Sequence, residues 1–154
     1  QSIYWLYDGD ITRLAPGTAS EFLNEGLLYK NQDPATGDSL VTAEFRNAGG
    51  SVWVDKSVLT FGQGCLRLEG GQFSIDANGE IVLSGDTHFA TVGTTKFFGS
   101  GKCRVLGGTL RVDFLAEVEN NMGVMNPNPN QGFFLDTNGR LGGAGIPRAC
   151  SRSS

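Results

Sequence analysis

From Ser51 onward the chain is written in short runs in which every second residue is hydrophobic: SVWVD at 51–55, CLRLE at 65–69, QFSID at 72–76, EIVLS at 80–84, KCRVL at 102–106 and TLRVDF at 109–114. A period of two sends alternate side chains to opposite faces of an extended strand. Gly, Asn or Asp bounds each run, so the pattern predicts strands joined by tight corners. IYWLY at 3–7 predicts one more strand, unusually aromatic, and HFATV places His88 in another. Helix has one candidate, TASEFLNEG, where Thr18 and Glu21 could form a capping box and Gly26 could end the turn.

Two echoes run along the chain, the stronger of which sets the repeat. FGQGCLRLEGGQFSID at 61–76 returns as FGSGKCRVLGGTLRVD at 98–113, with Phe61 on Phe98, Arg67 on Arg104, Gly70 and Gly71 on Gly107 and Gly108, and Asp76 on Asp113, an offset of 37 residues. A weaker echo sets Phe22, Asn24 and Gly26 against Phe45, Asn47 and Gly49, each followed by an apolar strand. Asn78-Gly79 and Asn138-Gly139 continue that punctuation. Asn and Gly tolerate the left-handed backbone of a sharp corner, so these positions read as corners, and the corner is preferred to a helix at 19–25.

Short strands, Gly and Asn corners and a fixed period predict an all-β fold, a right-handed parallel β-solenoid. The 37-residue unit would cover two coils of about 18 or 19 residues each. The alternative is an antiparallel β-sandwich, because GG and NG also make hairpin turns. Residues 1–119 form the predicted solenoid body. The Asn- and Pro-rich segment 120–132 lacks any apolar period and predicts an exposed loop. Residues 133–154 add C-terminal strands and a polar tail to the same domain.

Composition narrows the function classes. Twenty-three glycines in 154 residues fit many turns, and a net charge of −4 with scattered basic residues lacks an electrostatic footprint for nucleic acid. No apolar run approaches the ~20 residues of a bilayer span. The first residue is Gln1, as in a mature chain after removal of a secretion signal. Three cysteines, Cys65, Cys103 and Cys150, leave three arrangements open: one bridge and a spare thiol, a bridge between chains, or three buried thiols.

Catalytic chemistry finds little purchase. Gly101-Lys102 lacks the upstream Gly and the following Ser or Thr of a phosphate loop. His88 is the single histidine and reads as a structural residue; Asp8-Gly9-Asp10 reads as a turn rather than a calcium site. Asp76 and Asp113 occupy equivalent places in the 37-residue unit and could stack as a carboxylate pair of a polysaccharide-acting β-helix, although turn formation is the simpler role. No metal or cofactor is expected.

NGEIVLSG at 78–85, GSGKCRV at 99–105, the Phe-x-Asn-x-Gly punctuation and Ile146-Pro147-Arg148-Ala149-Cys150 resemble the N-terminal β-solenoid domain of fungal hyphally regulated cell-wall proteins. The resemblance covers mainly residues 45–113 and 146–150, in a chain about half the length of such a domain. It implies a secreted, wall-associated, adhesin-like module without catalysis, meeting surface or wall glycans. It also implies that Cys103 pairs with Cys150, with Cys65 free or linking chains. A second reading is a self-assembling subunit of an extracellular filament, joined by strand addition through Ile3, Tyr4, Trp5, Leu6 and Tyr7 and locked by the odd cysteine. A polysaccharide-acting enzyme comes third.

Overall fold

The computed structural model describes residues 2–7, 9–12, 21–31 and 37–122, together with the backbone of strands at 132–135, 140–143 and 146–149. The described residues are strands and corners without a helix, and the strands stack as a β-solenoid of about five turns. In chain order they are β1 (Ile3–Leu6), β2 (Glu21–Asn24), β3 (Leu27–Lys30), β4 (Ser39–Val41), β5 (Glu44–Asn47), β6 (Ser51–Phe61), β7 (Leu66–Leu68), β8 (Gly71–Ser84), β9 (Thr87–Ala90), β10 (Gly93–Gly99), β11 (Lys102–Leu106), β12 (Thr109–Val112), β13 (Ala116–Asn120), β14 (Gly132–Leu135), β15 (Arg140–Gly143) and β16 (Ile146–Ala149).

Each coil contributes three strand segments. Face I is the six-stranded sheet β15-β12-β9-β7-β5-β2. Face II runs β1-β3-β6-β8-β10-β13-β16, and face III is made by β4, β11 and β14 with the C-terminal halves of β6 and β8. All the ladders are parallel, which excludes the antiparallel sandwich. Of the segment considered for a helix, Glu21–Asn24 is strand β2 and turns at Glu25 and Gly26, while Thr18, Ala19 and Ser20 lie outside the described residues.

The registers correct the repeat length. Ile3 pairs with Leu27 and Leu27 with Ser51, steps of 24; Phe22 pairs with Phe45, a step of 23; Arg67 pairs with Phe89, a step of 22. The weaker echo is therefore the coil, and coils of 18 or 19 residues are not found among the described residues. The 37-residue echo joins different faces: Phe61 ends β6 on face III, whereas Phe98 lies in β10 on face II. It recurs because every corner makes the same demand. Gly71, for example, has φ +95°, and a Cβ there would lie 2.2 Å from the Gly50 carbonyl oxygen. Asn78-Gly79 is not a break between strands but a bend inside β8, opposite a register shift between Val54 and Lys56 of β6. Asn138-Gly139 lies outside the described residues, as does most of the predicted 120–132 loop, whose ends Asn120 and Gly132 belong to β13 and β14.

Inward positions form columns along the axis. Leu28, Val52, Phe73 and Phe97 stack beneath face II, with Phe73 and Phe97 ring centroids 4.8 Å apart. Leu59, Ile81 and Cys103 stack beneath face III. Burial on this scale, roughly 1.5–3 kcal/mol per large apolar side chain, drives the stacking. Phe22 and Phe45 stack beneath face I with planes 9° apart. Beside them the repeated Asn is fully buried: Asn24 donates through Nδ2 to Asn47 Oδ1 at 2.7 Å, and Asn47 Nδ2 donates to the carbonyls of Gly50 and Gly70 at 3.0 Å each. The Phe-x-Asn-x-Gly motif is thus one core ring and one amide that closes the corner. Lys30, also fully buried, donates through Nζ to the carbonyls of Tyr7 and Gly37.

His88 is an interior residue of face I, fully buried, with Nδ1 accepting from the Leu66 amide and Nε2 facing the Ser84 carbonyl, both at 3.3 Å. Those partners fit the neutral ring, and burial holds its pKa below the usual 6.5.

Two stability predictions follow from these buried polar groups. Asn47→Ala removes three hydrogen bonds and should cost roughly 2–4 kcal/mol, measured by urea unfolding; an unchanged midpoint would contradict the corner-closing role. For His88, the unfolded chain takes up a proton at higher pH than the folded one. Its contribution is fully present above pH 6.5 and is lost as pH falls from 6.5 to the lowered folded value, with a slope of at most about 1.4 kcal/mol per pH unit. Denaturation midpoints between pH 7.5 and 5.5 should fall in the wild type and fall less in His88→Gln.

Candidate functional site

Alternation and register together build the most distinctive surface. In β1, β3 and β6 the residues Tyr4, Leu28 and Val52 take the inward positions, so Trp5, Tyr29 and Trp53 face outward. Parallel in-register pairing then sets the three rings one above another on face II. The centroid of Tyr29 lies 4.8 Å from that of Trp5 and 4.8 Å from that of Trp53, the spacing of hydrogen-bonded strands. Trp5 is 58% exposed and Trp53 40% exposed, and Tyr7 stacks beside Trp5 with planes 14° apart.

Polar groups hold the ring tips. Tyr29 donates its hydroxyl to Asp55 Oδ2 at 3.3 Å and accepts from Asn31 Nδ2 at 3.1 Å; Trp53 Nε1 donates to Asp76 Oδ2 at 3.1 Å. Partial burial, then the Asp55 charge, raises the Tyr29 pKa, so the phenol keeps its proton at neutral pH. The stripe is a set of aromatic rings, edge to face between Trp5 and Tyr29 at 80° and tilted by 50° between Tyr29 and Trp53, with acceptor oxygens along one side. Aromatic rings with a polar handle suit ligands that are apolar on one surface and wet on another.

On the other side of Trp53 the outward column Ile3, Leu27, Ser51 and Gln72 borders an open groove of about 400 Å³, closed further along by Ser74 and Phe98. Gln72 Nε2 donates to Ser51 Oγ at 3.1 Å across its floor. Ser51 and Ser74 are the small residues that make the hollow.

The predicted assembly segment is divided between two surfaces. Ile3, Trp5 and Tyr7 belong to the aromatic face and its groove, whereas Leu6 packs on the core and Tyr4 meets Phe22 edge to face at the end of the stack. Among the described strands β1 pairs with β3 alone, so no described strand covers its other edge. Asp76 and Asp113 are not brought together: Asp76 binds Trp53 at the end of face II, while Asp113 lies after β12 and pairs with Arg111 at 3.1 Å. Asp10 accepts from the Leu40 amide at 2.7 Å, a contact with β4 rather than a local turn bond; Asp8 is outside the described residues. Among the described residues no three His, Cys, Asp or Glu side chains gather in a way that could hold a metal ion, and no helix is long and apolar enough to cross a membrane.

The stripe had a linear signal that period-two reading misses. Trp5, Tyr29 and Trp53 recur at steps of 24, the coil length itself.

The two described cysteines, Cys65 and Cys103, are inward. Cys103 is a free, fully buried thiol in the face III core, and burial pushes its pKa up strongly. Cys65 is also free and buried, its Sγ donating to the Val41 carbonyl at 3.2 Å and its pKa pushed up to about 11, chiefly by burial. A link between chains through Cys65 would require its coil to open. Cys150, the partner that the resemblance gives to Cys103, is outside the described residues. In Cys150→Ser, both remaining thiols should resist a thiol reagent in the native state and react fully in denaturant; a reducible dimer of that variant would contradict the placement of Cys65.

Compared with family models, with curated proteins and with solved structures, the chain matches none, so its surface chemistry carries the functional argument.

Proposed function

We propose that this chain is a non-catalytic, adhesin-like β-solenoid module of a cell surface, cell wall or extracellular matrix, and that its aromatic face binds surface or wall glycans. The observation that carries this reading is the Trp5, Tyr29 and Trp53 stripe, two exposed indoles with the half-buried Tyr29 ring between them at 4.8 Å spacing, on strands held by parallel ladders. The C–H faces of sugar rings pack on aromatic faces, and sugar hydroxyls donate to oxygens such as those of Asp55 and Asp76. The rings lose little freedom on binding because sheet and neighbours already orient them.

Filament assembly is a second reading, favoured by the edge of β1 that no described strand covers and by Tyr4, an inward-position residue left 41% exposed. The burial of Cys65 argues against that residue as the covalent lock.

Depletion from solution by suspended cellulose, chitin, β-1,3-glucan and mannan tests the proposal. The wild type should bind at least one of them. Trp5→Ala combined with Trp53→Ala should weaken that binding at least tenfold, as loss of central aromatic contacts does elsewhere, with an unchanged circular dichroism spectrum. Equal binding by both proteins would contradict the aromatic-face reading. A protein that ignores all four and grows with concentration in light scattering would move the function to assembly through β1.

A further inference from the structure

The outward column that begins Trp5, Tyr29, Trp53 continues with Ser74 and then Phe98. Four aromatic residues are thus interrupted by one small one. Adjacent rungs of a parallel sheet are about 4.8 Å apart, which puts Trp53 and Phe98 roughly 10 Å apart across the missing rung. An aromatic face makes carbon contacts at about 3.5–4.0 Å, so the two rings leave room for one further ring between them.

We propose that the notch over Ser74 is a subsite for a single neutral pyranose with equatorial substituents, a β-linked glucose unit or its close relative. This rests on the glycan-binding reading of the aromatic face and names the sugar class that face selects. Three features of the notch fix that class. Its long walls, Trp53 and Phe98, are aromatic, so both faces of the guest must be apolar; a ring with equatorial hydroxyls carries C–H bonds on both faces, whereas an axial hydroxyl would spoil one. Its floor and flank, Ser74, Ser51 and Gln72, are polar and uncharged, which suits hydroxyls around the rim of such a ring. Among the described residues no charged side chain lines the groove, so a uronic acid, a phosphate or an amino sugar would lose its water without a counter-charge. The volume of about 400 Å³ falls in the range of small-ligand sites and runs from the notch toward Ile3 and Leu27.

Ser74→Trp separates the subsite from the stripe, because the two make opposite predictions. The change fills the notch and at the same time completes the outward aromatic column. Titration calorimetry with cellohexaose should show at least a tenfold loss of affinity in Ser74→Trp, and a comparable loss in Phe98→Ala, which removes one wall without adding bulk. Methyl β-glucoside should compete with the hexasaccharide better than methyl α-mannoside or methyl β-galactoside does. Equal or tighter binding by Ser74→Trp, with loss in Trp5→Ala, would overturn the subsite and leave the aromatic face standing as a plain platform. No loss in Trp5→Ala, Trp53→Ala or Ser74→Trp would overturn both. Better competition by the mannoside or galactoside would overturn the assignment of sugar class, as would failure of the wild type to bind cellohexaose. A melting temperature for each variant confirms that the outward substitutions leave the fold intact.

Discussion

In-register parallel hydrogen bonding between successive coils is the constraint on which the rest of this structure depends. Away from the ends, each strand receives its backbone partners from the coil before and the coil after, so a residue is stacked on its equivalents 20 to 24 positions away in the body and 29 to 31 away at the C-terminal coil. Inside, that rule makes columns such as Leu28, Val52, Phe73 and Phe97, where apolar bulk must recur or the core opens. At the corners it lets one buried amide serve two coils, as Asn47 does with Asn24, Gly50 and Gly70. Lys30 shows the same rule near the N-terminal end: a cation occupies a core column and carbonyl oxygens meet it.

Outside, the rule sets like beside like, and the two sheets handle it differently. On face I the outward column places Arg46 beside Arg67, and acids offset their repulsion: Glu69 at 2.7 Å and Glu21 at 3.8 Å from Arg46, Glu44 at 2.5 Å from Arg67. Surface pairs of this kind contribute little each, but they leave the column balanced and wet. On face II the column is aromatic, and tip contacts with Asp55 and Asp76 orient the rings without covering their faces. A solenoid therefore turns one aromatic choice per coil into an array with a fixed pitch, and a single Ser into a gap of defined width.

Strand positions, corners and the all-β solenoid were legible in the chain because period-two alternation and Asn/Gly punctuation are local signals. Coil length was not, because the louder 37-residue echo reports a corner grammar shared by all three faces, while the coil is carried by a few residues such as Phe22, Asn24, Phe45 and Asn47. The site depended on that length: Trp5, Tyr29 and Trp53 look unrelated until they are laid at 24-residue steps. The notch over Ser74 was further out of reach, since its meaning comes from Trp53 and Phe98, 21 residues before it and 24 after. The pairing of Asp76 with Asp113 failed for the same reason, because it was built on the 37-residue echo.

The chain contains two tryptophans, Trp5 and Trp53, and both stand in the stripe. A ¹H–¹⁵N correlation spectrum therefore offers two indole signals that report on this surface alone. Titration with cellohexaose should move both signals along saturating curves with one Kd, while the amides of Arg46 and Arg67 on face I stay in place. Indole signals that remain still while face I amides move, or a spectrum that does not change at all, would contradict the account.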